Sequence, residues 1–132
     1  MRFCFALTLI GGFAAVLVGG FALSKAIAAQ ESKQIAEGRG HYEETCKLCH
    51  GADGQRGEGF QTPIWGAEAK IASKFVNVQG FIDYMQLMPF NDPTLLDETQ
   101  KLTVVAFVLS MHGTIKPTDT LDASKAANIP IK

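Results

Sequence analysis

Cys46-Lys47-Leu48-Cys49-His50 is the stretch of the sequence on which the interpretation of the whole chain depends. Two thiols three positions apart can form thioether bonds with the two vinyl groups of one porphyrin. A histidine directly after the second thiol then lies under the iron. The C-x-x-C-H pentapeptide is therefore typical of covalent haem c attachment. We expect Cys46 and Cys49 to hold one haem and His50 to bind its iron.

Two other chemistries use a C-x-x-C pair, namely zinc sites and thioredoxin-like redox centres. A zinc site needs a second pair of ligands, and the sequence contains no other C-x-x-C and no paired histidines. A thioredoxin-like pair needs a βαβ context, and no segment near the motif has the pattern of a strand. The sequence favours haem over both.

The first 28 residues have the pattern of a signal peptide or a membrane anchor. Arg2 precedes an almost uninterrupted apolar run over residues 3–23, and Ala26-Ile27-Ala28-Ala29 follows it. A positive start, an apolar stretch and a small-x-small site are typical of a secretory signal, cleaved here after residue 28 or 29. The run also approaches the roughly 20 residues that cross a bilayer, which leaves a retained inner-membrane anchor open. In both cases we expect a periplasmic domain, with Cys4 as a bystander.

The charge of the remaining chain argues against nucleic-acid binding. Removing Arg2 and Lys25 from the 12 basic side chains leaves 10 against 13 acidic ones, a net charge of −3. A nucleic-acid surface would need a basic patch. A chain of roughly 100 residues forms one domain that buries little apolar surface unaided. A large flat cofactor would supply much of the core, so we expect the haem-free chain to fold poorly.

The pattern of helix signals predicts an all-α fold of short helices and long loops. Ser32 is placed to cap a helix that runs to the first haem cysteine. Glycine and polar residues indicate a loop over residues 51–66. Further helices are predicted over residues 68–75, 80–85 and from about 96 to 111, the last ending at Gly113. We therefore expect a haem domain over residues 32–115 and an extended tail over residues 116–132.

Met88 is the sequence's best candidate for the second iron ligand. A thioether is neutral and soft, so it favours reduced iron and raises the potential of a histidine-ligated haem. Pro89 fixes the backbone directly after it. The alternatives are an open coordination position and four other side chains: Met85, Met111, His41 and His112. Methionines on apolar helix faces are usually core residues, and histidines at such positions are usually exposed or capping.

These features together resemble the class I c-type cytochromes, over essentially all of residues 32–131. The matching residues are Gly38, Tyr42, Cys46-x-x-Cys49-His50-Gly51, Met88-Pro89 and Phe107. The resemblance implies a small cytochrome c fold around one covalent haem, with His50 as proximal and Met88 as distal ligand. It also implies that the first and last helices cross closely at Gly38, with Tyr42 and Phe107 packed across the crossing.

Three segments are similar to cytochromes of bacterial sulfur-compound oxidation, above all to cytochrome subunits of sulfane and sulfite dehydrogenases. They are Phe60-Gln61-Thr62-Pro63-Ile64-Trp65-Gly66, the run from Phe81 through Met88-Pro89-Phe90-Asn91, and the run that starts at Gly113-Thr114-Ile115-Lys116. This resemblance implies an electron carrier rather than an enzyme. Its donor would be a dehydrogenase and its acceptor an oxidase or another cytochrome of the respiratory chain.

A ligand set of His50 and Met88 leaves no free position on the iron, so we expect outer-sphere electron transfer. Three functions remain in competition: the carrier described above, a haem peroxidase or gas-binding protein with an open iron position, and a membrane-anchored cytochrome subunit of another respiratory or dehydrogenase complex. Partner contact should be small and transient. Its expected place is the haem edge near Cys46, Leu48 and Pro89-Phe90, although apolar residues there equally fit packing of the haem crevice.

Four residues are secondary candidates around the haem. Pro63 is placed to offer its carbonyl oxygen to the second ring nitrogen of His50. Trp65 is a candidate donor to a haem propionate, with a buried core role as the alternative. Arg56 and Lys70 are candidate propionate partners, although charges on such loops are mostly solvated.

Overall fold

The computed structural model describes residues 31–132, so the predicted signal or anchor over residues 1–28, and Cys4 with it, lie outside the described part. The described chain is all-α, as predicted. Its elements are helices α1 (Lys33–Thr45), α2 (Lys47–His50), α3 (Ile71–Lys74), α4 (Val78–Met85) and α5 (Glu98–His112), and a 3₁₀-helix (Ala123–Asn128). Between residues 31 and 132, extended backbone pairs in one isolated bridge, between Asn77 and Pro130.

Helix α1 begins where the sequence predicts it. The Ser32 side chain accepts a hydrogen bond from the backbone N–H of Ile35 at 3.3 Å, which satisfies a donor that the first helical turn leaves free. Ile35, Gly38 and Tyr42 are buried on one face of the helix. This spacing directs α1 toward the centre of the molecule.

Helix α5 has a defined cap at each end. Asp97 accepts from the N–H of Gln100 at 2.8 Å, and the Gln100 side chain accepts from the N–H of Asp97 at 2.9 Å, which forms a reciprocal capping box. At the other end Gly113 adopts the left-handed conformation with φ 87°, and its N–H bonds back to the helix. The predicted start and stop of this helix are confirmed.

Helices α1 and α5 cross in close contact. A side chain at Gly38 would overlap the backbone carbonyl of Thr103, so only glycine allows this approach. Tyr42 and Phe107 pack across the crossing with ring centroids 5.4 Å apart, and Trp65 contacts both rings. The crossing that the resemblance implies is therefore present.

The two smaller predicted helices differ from the structure in their bounds. Helix α4 starts two residues earlier than predicted, because Asn77 caps it by accepting from the N–H of Gly80 at 3.1 Å. Helix α3 is one turn, Ile71–Lys74, rather than the predicted eight residues. Residues 51–66 contain no helix, in agreement with the predicted loop.

The last segment was expected to be an extended tail, and the structure corrects this prediction. Leu121, Ala126 and Ile131 are buried, and a 3₁₀-helix lies between the first and the last of them. The Gln34 side chain both donates to and accepts from the backbone of Leu121. The Val78 N–H bonds to the carbonyl of Ile129 at 2.9 Å. Apolar residues five apart have no helical or strand period, so the sequence pattern did not reveal that they are buried.

Candidate cofactor site

A cavity of about 350 Å³ lies between α1, α4, α5 and the loop that follows α2. Its walls are mainly apolar, with Phe60, Ile71, Phe75, Phe81, Val104 and Val108 among them. Polar groups reach it from Tyr42, Cys46, His50, Thr62, Lys70, Lys74 and Tyr84. An apolar cavity into which polar groups converge is the usual form of a cofactor site.

The C-x-x-C-H motif forms one wall of this cavity. Helix α1 ends at Thr45 and α2 begins at Lys47, so Cys46 lies at the junction, with its N–H bonded to the carbonyl of Tyr42 at 2.9 Å. Cys46 is half-buried and lines the cavity, and burial raises the pKa of its thiol. Cys49 is exposed and is not among the lining residues. The structure thus brings one of the two predicted thioether positions to the cavity wall.

His50 also lines the cavity, as its predicted role requires. Its Nδ1 atom is buried and has no hydrogen-bond partner, and its ring packs edge-on against Phe60 at 5.2 Å. Burial lowers the pKa of the imidazole, which favours the neutral form that binds metal ions. Pro63 lines the same cavity, but the predicted hydrogen bond from His50 to its carbonyl is not formed.

Two of the five candidates for the second iron ligand reach the cavity. Met88 is half-buried in the loop after α4, and Met85 is buried on the last turn of α4; both line the cavity. Met111, His41 and His112 do not line it. His112 instead accepts a hydrogen bond at Nδ1 from the backbone N–H of Gly66, 3.2 Å away.

Of the predicted propionate partners, only Lys70 lies at the cavity. Arg56 lines a separate open groove on the outer side of α2, and Trp65 is a core residue between Tyr42 and Phe107 rather than a cavity residue. The expected propionate contacts of Arg56 and Trp65 therefore find no support in this geometry, whereas the alternative core role of Trp65 is confirmed.

The sequence interpretation missed Lys74, Tyr84 and the polar role of Tyr42. Lys74 lines the cavity one turn after Lys70, and its Nζ lies 3.8 Å from the centroid of the Tyr84 ring, a cation–π contact. The spacing of Lys70 and Lys74 is a signal that was available. The Tyr42 hydroxyl donates to the carbonyl of Gly51 at 2.6 Å, which ties the end of the C-x-x-C-H motif to α1.

The residues at the cavity fit a covalently bound haem. An unpartnered imidazole nitrogen, a thiol at the wall, two thioethers and two lysines surround an otherwise apolar space. Cys46 would bind one vinyl group, and Cys49, which is exposed and lies outside the cavity wall, would have to bind the other. The His50 imidazole and one thioether would hold the iron, and the lysine ammonium groups the propionates. Within residues 31–132, no group of three or more His, Cys, Asp or Glu side chains is placed to hold a metal ion.

The surface next to the motif is apolar in places. Leu48 on α2 is exposed, as are Leu87 and Phe90 on either side of Met88-Pro89. Leu48 and Phe90 are the residues that the sequence placed in the docking surface. Docking at these two side chains stays a prediction.

Comparisons with protein-family models, with curated proteins and with solved structures found no match to this chain. In the part of the chain from residue 31 onward, no helix is both long enough and apolar enough to cross a membrane.

Proposed function

We propose that this protein is a periplasmic monohaem c-type cytochrome of class I that transfers single electrons. The observation that carries the proposal is one mainly apolar cavity that is lined by Cys46, His50 and Met88. The buried Nδ1 atom of His50 has no hydrogen-bond partner there. Haem c, when bound, supplies one-electron redox chemistry at its iron.

The chain's own residues give that cofactor its properties. Cys46 and Cys49 would attach it covalently and so would keep it in one orientation in both oxidation states. His50 and Met88 would both bind the iron and so would leave no position for a substrate. The apolar walls exclude water and thereby limit the solvent rearrangement that accompanies a change of iron charge.

The proposed partners are redox proteins. The donor is a dehydrogenase of sulfite or sulfane sulfur, and the acceptor is an oxidase or a cytochrome of the respiratory chain. This part is supported by the similarity of the segments around residues 60–66, 81–91 and 113–116 to cytochromes of sulfur oxidation. The exposed side chains of Leu48 and Phe90 offer a small apolar surface, as transient redox encounters require.

A second proposal is a membrane-anchored cytochrome subunit of another respiratory or dehydrogenase complex. It is supported by the length of the apolar run over residues 3–23, which is close to that of a membrane span. Extraction distinguishes the two proposals. A protein that begins near Ala29 and is released without detergent supports the soluble carrier, and a full-length protein that requires detergent supports the anchored subunit.

The test of the cytochrome proposal is the spectrum of the purified holoprotein and of two variants. We expect one haem that stays attached after denaturation, and a ferric spectrum with the weak band at the red edge that methionine ligation produces. Met88→Ala should lose this band and lower the midpoint potential, whereas Met111→Ala, at an exposed position away from the cavity, should change neither.

Three results would contradict the proposal. The first is a purified protein without covalent haem. The second is a high-spin ferric spectrum in the wild type, which would indicate an open iron position and favour a peroxidase or gas-binding protein. The third is an unchanged spectrum and potential in Met88→Ala.

A further inference from the structure

Lys101 is a buried lysine on the inner side of α5. Only 5% of its surface is exposed, although lysine is almost never buried unless it is paired. It lies three residues before Val104, a residue of the cavity wall, and therefore one turn away on the same face of the helix. Lys101 takes part in none of the ion pairs among residues 31–132.

The partners of its ammonium group are two backbone carbonyls of the loop that carries Met88. Lys101 Nζ donates to the carbonyl of Gln86 at 3.0 Å and to that of Pro93 at 2.7 Å. We call residues 86–93 the methionine loop. One carbonyl lies two residues before Met88 and the other five residues after it, so a single side chain holds both ends of the loop against α5.

Besides Lys101, the methionine loop is held by packing of the buried Pro89 and of Met88, which contacts the core. Its own backbone hydrogen bonds are local, such as Met88 N–H to the carbonyl of Met85 at 3.0 Å and Asp92 N–H to that of Pro89 at 3.0 Å. Leu87 and Phe90 point outward, with 56% and 84% of their surface exposed. Hydrogen bonds from a charged donor are stronger than neutral ones, and here they join the loop to the most buried helix.

We propose that Lys101 is a positioning residue for Met88, which holds the methionine loop closed so that the thioether stays on the iron. This inference rests on the proposed function. A thioether is a weak ligand, so a loop that opens more often gives another ligand more time at the iron. Loss of the two charge-assisted bonds should raise the population of the open loop without altering the ligand itself.

The test is a titration of the ferric holoprotein with imidazole, which binds the iron only when Met88 has left. The variants are Lys101→Met, which keeps the chain length and removes charge and donors, and Lys101→Arg, which keeps both. Lys33→Met is the matched control, because that side chain is 89% exposed and carries the same charge. We expect Lys101→Met to bind imidazole about tenfold more tightly than the wild type, and the other two variants to stay within about twofold.

Hydrogen exchange of the same proteins, followed by mass spectrometry, separates positioning from general structural support. Positioning predicts faster exchange of the amides in residues 86–95 of Lys101→Met, with unchanged exchange in α1 and α5. An imidazole affinity equal to that of the wild type would overturn the proposal, and so would faster exchange throughout the domain.

If Lys101→Met yields no folded holoprotein, Lys101→Gln replaces it under the same criteria. A wild type without the methionine band overturns the proposed function itself, whereas a wild type with that band and an unaffected Lys101→Met overturns this inference alone.

Discussion

Replacement of Gly38 by alanine is the sharpest test of how this fold is held together. The added methyl group would overlap the carbonyl oxygen and carbon of Thr103 and touch the Cβ of Phe107. Two of these atoms belong to the backbone of α5, so no side chain can rotate away and the helices must separate. Overpacking of a core typically costs 1–3 kcal/mol, and a backbone obstruction belongs at the upper end, about 3 kcal/mol. The separation would also loosen the packing between Tyr42 and Phe107.

Gly40 supplies the matched control within the same helix. A methyl group there would meet no atom within 4 Å, and the residue is exposed. Alanine is favoured over glycine in a helix interior by about 0.5–1 kcal/mol, so Gly40→Ala should stabilise the protein by that amount. The assay is denaturant unfolding of the holoprotein, followed by circular dichroism. If Gly38→Ala were as stable as Gly40→Ala, the close crossing of α1 and α5 would be refuted.

Two further predictions concern the Tyr42 hydroxyl. Tyr42→Phe removes the hydrogen bond to the carbonyl of Gly51 and should lower the free energy of unfolding by about 1 kcal/mol in denaturant titrations at neutral pH; an unchanged midpoint would contradict the bond. Burial raises the pKa of Tyr42 above its ordinary value near 10, so the folded state keeps this proton after the unfolded state has lost it. The contribution of this group to the free energy of unfolding is therefore fully present below pH 10. Above pH 10 it decreases by about 1.4 kcal/mol per pH unit. Unfolding measured between pH 9 and 11 should show this extra loss in the wild type and not in Tyr42→Phe, and parallel curves would argue against it.

The parts of the fold that the sequence predicted are those with local causes. Ser32 and Gly113 act on atoms within a few residues of themselves, so their effect on the helix ends can be predicted from the sequence. The close approach at Gly38 depends on contacts between distant segments, and it was expected because of the resemblance to a known family rather than from the pattern. The C-x-x-C-H motif and Met88 were identified in the same two ways, by local chemistry and by resemblance.

The parts that were missed depend on partners far along the chain. Lysine is usually a surface residue, so the sequence pattern contained no sign that Lys101 is buried. Its ammonium group is satisfied inside the protein by hydrogen bonds to two backbone carbonyls, 8 and 15 residues earlier in the chain. Arg56 and Trp65 were assigned to the haem because their side chains suit propionates. Their positions were decided instead by the path of the loop, which directs Trp65 into the α1–α5 crossing. The ability of a side chain to bind a propionate therefore did not predict where that side chain lies in the fold.

The packing of the closing segment sets the time at which this domain can finish folding. The N–H of Ser32, at the start of α1, finds its acceptor in the carbonyl of Pro117, and the N–H of Val78 finds its acceptor in that of Ile129. Neither bond can form until residues 117–129 have left the ribosome and folded back. The two bonds at the starts of α1 and α4 therefore form only after the closing segment has been synthesised and has packed against these helices.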